Sequence, residues 1–256
     1  MAWQGSRFDG TFRRLGLSEP LPSHGSLDRL GVRLSKTGAT ADDLRALDGY
    51  RRTFAPAYQY AITLVKQWVS DWNDDEYPET VSLMAWAGRF PKSSSSVIGK
   101  LQRQTVRLSQ IRDMAGVRIT TPSRFEQDLS VNELQSRFPN AIKFDRLQSP
   151  SHGYRAVHFV VPVHDRVVEI QVRTRLQDAW AQLSEKLDDR YPGTKYGTAE
   201  ANPRMKLLLD ASDLIARLEE FDDVTTSQLD YETVADMKYK VEQLLQAAMT
   251  EADEGE

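Results

Sequence analysis

Residues 152–174, HGYRAVHFVVPVHDRVVEIQVRT, decide the fold because two apolar, β-branched runs flank a short polar turn. This pattern predicts one strand from about Tyr154 to Val163 and a second from about Val167 to Thr174. The short interval between the runs predicts an antiparallel hairpin, around which the rest of the chain is organised.

The polar face of this hairpin carries reactive side chains in a row. Because successive side chains of a strand point to opposite faces, Glu169, Gln171 and Arg173 share one face and the apolar residues between them share the other. By the same rule Tyr154 and His158 share a face of the first strand. The hairpin alone fits a functional site and a solvated surface about equally well.

Composition limits the classes of protein to which the chain can belong. It has 256 residues, a formal net charge of −4 and no cysteine, which excludes a disulfide framework, a zinc–thiolate site and a thiol nucleophile. No apolar run approaches the ~20 residues that span a membrane. The first ten residues lack the apolar core of a signal peptide, so we expect a cytoplasmic protein with no membrane partner.

Charge is distributed unevenly along the chain. Residues 89–118 contain seven Lys or Arg and one acidic residue, whereas residues 199–256 contain fifteen acidic residues and five basic ones. A basic segment within an acidic protein indicates a local anion site rather than general binding of nucleic acid.

The order of the remaining segments predicts an α/β protein of the α+β type, with a mixed β-sheet flanked by helices. A helical pattern begins at Thr40, and Pro56 is expected to kink or divide it. Further strands are predicted at 80–88 and 141–147, and further helices at 123–138, 175–190, 203–221 and 228–249. The predicted divisions are an irregular N-terminal arm at 1–40, a body at 41–196 with its core at 80–196, a C-terminal helical pair at 197–250, and a disordered acidic tail at 251–256.

A basic helix is predicted after Pro91, with the serines at 93–96 available to cap its start. Five polar residues then fall along one face of that helix: Lys92, Ser96, Lys100, Arg103 and Arg107. A helix start with free N–H groups, hydroxyls and cations can bind a polyphosphate. The alternative is a solvated basic face, and the glycine pattern of a Walker loop is absent.

Two carboxylates complete the pattern. Asp113 is predicted to open the strand that follows the basic helix, and Glu169 lies on the polar face of the hairpin. Mg²⁺ in proteins is typically held by one or two carboxylates together with substrate phosphates. The sequence therefore predicts metal-assisted nucleotide chemistry on a mixed sheet.

These segments resemble the synthetase domain of the RelA/SpoT homologues, and the chain is similar in length to the small alarmone synthetases. The resemblance covers about residues 80–196. It rests on four ordered matches, namely Lys92-xxx-Ser96-xxx-Lys100, Asp113-xx-Gly-Val-Arg118, Gly153-Tyr154-Arg155-xx-His158 and Glu169-Ile-Gln171-Val-Arg173-Thr174. It implies a nucleotidyltransferase-like synthetase domain with helical additions at both ends.

The resemblance also implies the chemistry, which is transfer of the β,γ-diphosphate of ATP to the 3′-hydroxyl of GDP or GTP to make (p)ppGpp. Asp113 and Glu169 would be the catalytic carboxylates that hold Mg²⁺, and Glu169 could also accept the hydroxyl proton. The implied ATP-binding residues are Arg89, Lys92, Ser96, Lys100 and Arg118. The implied acceptor-binding residues are Tyr154, which would stack on the base, and His158, Gln171 and Arg173.

Several departures from the family pattern lie around the acceptor site. His152 replaces the usual Asn, a lysine is missing from 148–151, and Glu185-Lys186 replaces a Glu-His pair, while Arg89 stands three residues before Lys92 instead of two. The acceptor therefore stays open between a guanine nucleotide and, for a toxin of similar sequence, an adenine nucleotide or the tRNA 3′ end. The acidic C-terminal region disfavours tRNA. An inactive nucleotide-binding module is a third alternative, and a homo-oligomer through the C-terminal helices or an antitoxin partner is left open.

Overall fold

A computed structural model describes residues 22–36, 39–76, 84–103, 106–163, 165–195, 202–220, 235–243 and 245. Its five strands are β1 (Ala85–Arg89), β2 (Gly116–Thr121), β3 (Ile142–Asp145), β4 (Val157–Val163) and β5 (Arg166–Thr174). Its named helices are α1 (His24–Ser35), α2 (Ala41–Arg52), α3 (Ala55–Glu76), α4 (Ser94–Arg103), α5 (Arg124–Arg137), α6 (Arg175–Arg190) and α7 (Pro203–Glu220).

The sheet is mixed and has the strand order β1-β2-β5-β4-β3. β4 and β5 form the predicted antiparallel hairpin, with Val161 opposite Val168. β2 lies parallel to β5, and the edge strands β1 and β3 are antiparallel to their neighbours. The predicted fold class, a mixed sheet flanked by helices, is confirmed.

One face of the sheet is the centre of the hydrophobic core. Val168, Ile170 and Val172 are completely buried there, as the alternation along β5 predicts. Helices α3 and α5 pack against this face. Burying an aliphatic side chain of this size contributes about 1.5–3 kcal/mol, so this face stabilises the sheet while the opposite face is available for a site.

The predicted irregular arm is wrong for part of its length, because residues 24–35 form helix α1. Its N-cap, Ser23, accepts a hydrogen bond from the Ser26 backbone amide. Leu27, Leu30 and Leu34 recur at helical spacing and are all buried. Interspersed Gly and Ser obscure this spacing in the sequence, and residues 1–21 lie outside the described part of the chain.

Pro56 divides the predicted long helix as expected. Helix α2 ends before Thr53, and Pro56 lies in the first turn of α3, where a missing backbone N–H leaves no hydrogen bond unmade. The start of α2 is fixed by a reciprocal capping box between Thr40 and Asp43. These helices bring α3 onto the sheet and place α2 beside the start of α4.

Helices α6 and α7 form a second hydrophobic cluster beyond the end of β5. The indole Nε1 of Trp180 donates to the Leu208 carbonyl oxygen at 2.7 Å, and Ile215 is buried in the same cluster. Residues 235–243 are also helical, within the predicted 228–249. The acidic tail at 251–256 lies outside the described residues. Within the described part of the chain, every helix is too short or too polar to cross a lipid bilayer.

Candidate active site

The strand pairing gathers the predicted polar residues on the sheet face opposite the core. Directly paired residues of adjacent strands point to the same side. One row across the sheet contains Arg89, Gly116, Glu169, Val160 and Ile142. The next row contains Ala87, Arg118, Gln171, His158 and Phe144. The register therefore brings Arg89, Arg118 and the hairpin residues together, which sequence spacing alone could only suggest.

Asp113 is held between two lysines of the basic segment. Its Oδ2 accepts from Lys92 Nζ at 2.9 Å, and its Oδ1 accepts from Lys100 Nζ at 3.0 Å. Burial alone would raise the pKa of Asp113, but the two ammonium charges and their hydrogen bonds lower it below the usual value. Asp113 is thus an ionised acceptor with a compensating positive charge on each oxygen.

The predicted basic face is shorter than expected. Helix α4 ends at Arg103, and Arg107 instead precedes a 3-10 turn at Leu108–Gln110. There its NH1 lies 3.7 Å from Asp28 Oδ2. Asp113 itself lies three residues before β2, so the prediction that it opens the strand is wrong. Residues 106–115 precede β2, and their path places Asp113 beside Lys92 and Lys100.

Helix α2 braces the start of α4, a role that the sequence did not indicate. Arg51 donates from Nε to the Lys92 carbonyl oxygen at 2.6 Å and from NH1 to Ser94 Oγ at 2.6 Å. Ser94 in turn donates to Asp48 Oδ1 at 2.9 Å. Ser93 caps the helix by accepting from the Ser96 amide. Among the four serines, therefore, Ser94 faces α2, and Ser96 lies in the first turn of α4 at the predicted phosphate site.

Glu169 is held by an imidazole and an amide rather than by lysines. Its Oε1 accepts from His158 Nδ1 at 2.8 Å, and its Oε2 accepts from Gln171 Nε2 at 2.8 Å. Burial raises the pKa of Glu169 and so does the nearby charge of Asp113, but the hydrogen bonds from His158 and Gln171 and the electrostatic attraction of His158 outweigh both and lower it. The effect of Asp113 on the pKa of Glu169 places the two carboxylates in one electrostatic neighbourhood.

The predicted acceptor residues lie in a hydrogen-bonded group, with Arg173 at its base. Arg173 is only 4% exposed, and its NH2 donates to Tyr154 OH at 2.6 Å and to Gln171 Oε1 at 2.9 Å. Its guanidinium also lies over the Tyr154 ring, 4.9 Å from the centroid. A direct contact from Arg173 to an acceptor phosphate would require these interactions to open.

Asp178 on α6 joins this group, although no feature of the sequence singled it out. Its Oδ1 accepts from Arg118 NH1 at 2.9 Å and from Arg173 NH1 at 3.1 Å. It follows Arg173 by five residues across the strand-to-helix junction, so only the fold brings it beneath the two guanidinium groups. Asp178 compensates part of the positive charge that Arg118 and Arg173 accumulate here.

The donor set fits a magnesium ion. Mg²⁺ prefers one or two carboxylates and takes its other oxygens from substrate phosphate and water. Within the described residues no group of three or more His, Cys, Asp or Glu side chains could hold a metal by itself, which leaves Asp113 and Glu169 as a pair to be completed by a bound nucleotide. Both are held ionised, as metal ligands must be.

Comparison with protein families identifies the segment that carries this site. Residues 88–195 match the family model described as a region found in RelA/SpoT proteins. An uncharacterized protein of Mycobacterium tuberculosis is 38% identical over 104 residues, which are 39% of this chain and 38% of that protein. A probable chloroplastic GTP diphosphokinase, CRSH, of Arabidopsis thaliana is 29% identical over 147 residues, 50% of this chain and 25% of that protein. The chain thus spans well under half the length of these relatives.

Solved structures share the fold. Small alarmone synthetase 1 of Bacillus subtilis, solved with its product pppGpp, aligns with a TM-score of 0.54 at 22% identity, covering 68% of this chain and 95% of that one. A GTP pyrophosphokinase family protein of Streptococcus pneumoniae aligns with a TM-score of 0.55 at 18% identity, covering 77% and 98%. At these identities the alignments establish the architecture, and together with the family match they confirm the resemblance drawn from the sequence.

Proposed function

We propose, from the premise that residues 88–195 form a RelA/SpoT region, that this chain is a pyrophosphokinase that makes (p)ppGpp. The observation that carries the proposal is the pair Asp113 and Glu169, two ionised carboxylates near enough for the charge of Asp113 to raise the pKa of Glu169. One is bound by the lysines of the basic segment and the other by the polar hairpin. The names of the Arabidopsis and Streptococcus relatives support the same class of reaction.

ATP is proposed to bind on the side of the basic segment. Lys92 and Lys100 would exchange their contacts with Asp113 for contacts with the triphosphate, while Ser96 and the backbone amides at the start of α4 would bind phosphate oxygens. Arg89 and Arg118 share the sheet face with Glu169, on the two strands beyond it. This is the side on which the base and the remaining charge of ATP would be held.

The acceptor is proposed to lie against Tyr154, His158 and Gln171, with its 3′-hydroxyl towards Glu169. The hydroxyl oxygen would bond to the β-phosphorus of ATP as the bond from that phosphorus to the α,β-bridging oxygen breaks, which releases AMP. The hydroxyl proton would pass to Glu169 or to water. Positioning and charge stabilisation, rather than covalent chemistry by the protein, dominate such transfers.

Magnesium would be held by Asp113 and Glu169, and when bound it supplies positive charge to the phosphate oxygens. Asp113 is free to join such an ion once its lysines turn to the nucleotide. Glu169 can use the second lone pair of each oxygen while it keeps its bonds to His158 and Gln171. The chain's own task is to hold these two carboxylates in place before the substrates arrive.

Labelled ATP provides the test. The full chain with Mg²⁺ and ATP labelled at the γ-phosphate is offered GDP, GTP, ADP, ATP or deacylated tRNA in turn, with Glu169→Gln protein as the background. We expect label in the guanine nucleotide, because the acidic C-terminal region disfavours tRNA. Label in tRNA alone, or in adenine nucleotides alone, would replace the proposed acceptor. No transfer to any acceptor from folded protein would support the inactive nucleotide-binding module instead.

A further inference from the structure

Five side chains on the site face form a closed ring of hydrogen bonds around Glu169. One path runs from Arg173 NH2 to Tyr154 OH at 2.6 Å, from there to His158 Nε2 at 2.8 Å, and from His158 Nδ1 to Glu169 Oε1 at 2.8 Å. The other runs from the same Arg173 NH2 to Gln171 Oε1 at 2.9 Å, and from Gln171 Nε2 to Glu169 Oε2 at 2.8 Å. Both paths begin at one nitrogen and end on one carboxylate.

The hydrogen bonds of the ring can all run in one direction, from Arg173 to the Glu169 carboxylate. A guanidinium can only donate, so the Tyr154 oxygen accepts from Arg173. The Tyr154 hydroxyl keeps its own proton to donate, and His158 Nε2 lies 2.8 Å from it. An imidazole nitrogen that accepts carries no proton, so the ring proton of His158 lies on Nδ1 and is donated to Glu169.

We propose that Arg173 and the hydroxyl of Tyr154 are positioning residues, which hold the His158 ring and the Gln171 amide and thereby orient Glu169. The inference deepens the proposed function, because it assigns Arg173, and the hydroxyl of Tyr154 but not its ring, to holding the carboxylate rather than to contacting the acceptor. Arg173 is only 4% exposed, which suits this role and not contact with a phosphate.

The shape of the arginine side chain is essential to this role. Its NH1 donates to Asp178, while its NH2 serves Tyr154 and Gln171 together. Asp178 is itself fixed, because Oδ2 accepts from Gln182 at 2.7 Å. A lysine has one nitrogen on a flexible stem and cannot occupy the three directions of the fork at once.

Nuclear magnetic resonance tests the ring without any substrate or metal. The full chain is labelled with ¹⁵N-histidine, and the signals of His158 are assigned among the four histidines by their loss in His158→Asn protein. At pH 8 we expect a protonated-type signal for Nδ1 and an unprotonated-type signal for Nε2. A proton on Nε2, alone or with one on Nδ1, overturns the proposal, and this measurement needs no ring variant to fold.

Two ring variants and one control test the positioning role. Tyr154→Phe keeps the aromatic ring and removes the hydroxyl, while Arg173→Lys keeps the charge and removes the fork. In both we expect the Nε2 signal of His158 to shift from its wild-type position, because that nitrogen loses the hydroxyl or its fixed orientation, and kcat to fall by about 10- to 100-fold, since small misplacements of a reacting group have effects of this size. In Tyr154→Phe the KM for ATP should stay within about twofold, because the hydroxyl contacts Arg173 and His158 rather than an ATP-side residue.

Arg166→Lys is the matched control at the other end of β5. Arg166 also lies over aromatic rings, with Phe54 at 5.1 Å, and also donates from a forked side chain, to Thr53 Oγ1 at 2.8 and 3.0 Å. It lies outside the ring, so its variant should leave the His158 signals and kcat at wild-type values. A folded Tyr154→Phe protein that keeps either the wild-type Nε2 signal or the wild-type kcat overturns the proposal.

The two readouts separate this inference from the proposed function. Suppose that the protein shows the expected His158 tautomer but transfers no diphosphate to any acceptor. That result would refute the synthetase activity and the expected effects on kcat, while the hydrogen-bond ring would stand. Transfer of diphosphate by a protein with the other tautomer would overturn the ring alone.

Discussion

Asp113 and Glu169 lie in one electrostatic neighbourhood, yet the protein holds them in opposite ways. Asp113 is bound by two ammonium groups on long, flexible side chains, and Glu169 is bound by an imidazole and an amide that are themselves hydrogen-bonded. Lysine contacts can be exchanged for contacts with phosphate at little geometric cost. The ring around Glu169 resists such exchange, because releasing one member leaves another buried polar group without a partner.

This contrast indicates how the site divides its work. Under the proposed function, the Asp113 side would be reorganised when a highly charged nucleotide binds, and the lysines compensate the carboxylate until then. The Glu169 side would stay as it is, because a group that is to meet the acceptor hydroxyl must already point in the right direction. Variants on the two sides should therefore fail in different ways.

Neutralising either carboxylate should give the largest effect. Glu169→Gln and Asp113→Asn keep the shape and remove the charge, so we expect kcat to fall by at least ~100-fold at saturating ATP and Mg²⁺. The double variant should lose much less than the sum of the two losses in activation free energy, because the two groups act as a unit. Diphosphate transfer is measured alongside melting curves, and near wild-type kcat in folded Glu169→Gln protein would refute the two-carboxylate mechanism.

Removing the Tyr154 ring should give the next largest effect. Stacking on a base is worth about 1–3 kcal/mol, so Tyr154→Ala should weaken use of the acceptor by roughly 5- to 150-fold. Comparison with Tyr154→Phe isolates the ring, because both variants lack the hydroxyl. If the two have the same KM for the acceptor, Tyr154 is no base platform. Because Tyr154 packs partly against the α6 and α7 cluster, the melting temperature of each variant is measured too.

Much of this site could be predicted from the sequence, because the spacing of residues along a strand determines which side chains share a face. The alternation along β5 put Glu169, Gln171 and Arg173 on one face, and the structure bears out that placement. What the sequence could not supply was the partner of each side chain. Asp178 acts across the junction between β5 and α6, and Arg51 acts between helices α2 and α4. No local periodicity of the sequence indicates such contacts.

The roles predicted for individual residues also divide into those that local spacing supports and those that it does not. Lys100 meets Asp113 from the second turn of α4, and Lys92 meets it from the segment just before that helix. Arg107, seven residues further, lies beyond the end of α4, where helical spacing no longer applies. The contact of Arg173 with the acceptor stays a prediction; its side chain is 4% exposed and contacts Asp178 of α6, which strand spacing does not indicate.

Removing one lysine should weaken the Asp113 side selectively. Lys100→Met keeps most of the apolar stem and removes the ammonium, so we expect the KM for ATP to rise by about tenfold or more, the scale of one charged hydrogen bond. The KM for the acceptor should change little, in contrast to Tyr154→Ala. Lys206→Met is the control, because it removes an equally close Lys–Asp contact, 2.7 Å to Asp210, on the exposed face of α7. An equal rise in both KM values for Lys100→Met would contradict the division of work.

A third carboxyl, Glu219 of α7, sharpens the comparison and should give the smallest effect. It is 5% exposed and hydrogen-bonded to Thr174 Oγ1 and, at 2.8 Å, to Gln177 Nε2, yet its pKa is raised because burial outweighs these bonds. A carboxyl whose pKa is higher in the folded state stabilises the fold fully below its unfolded pKa of about 4.3, and that stability is lost as pH rises through the folded value. Glu219→Gln imitates the neutral form, so its free energy of unfolding should match the wild type near pH 4 and exceed it by up to about 1 kcal/mol at pH 8. Denaturant titrations at both pH values measure this, with Glu220→Gln, the exposed neighbour, as control. A Glu219→Gln protein that is less stable than the wild type at pH 8 would contradict this prediction. It would show that Glu219 is held ionised, as Glu169 is, and that its pKa is lowered rather than raised.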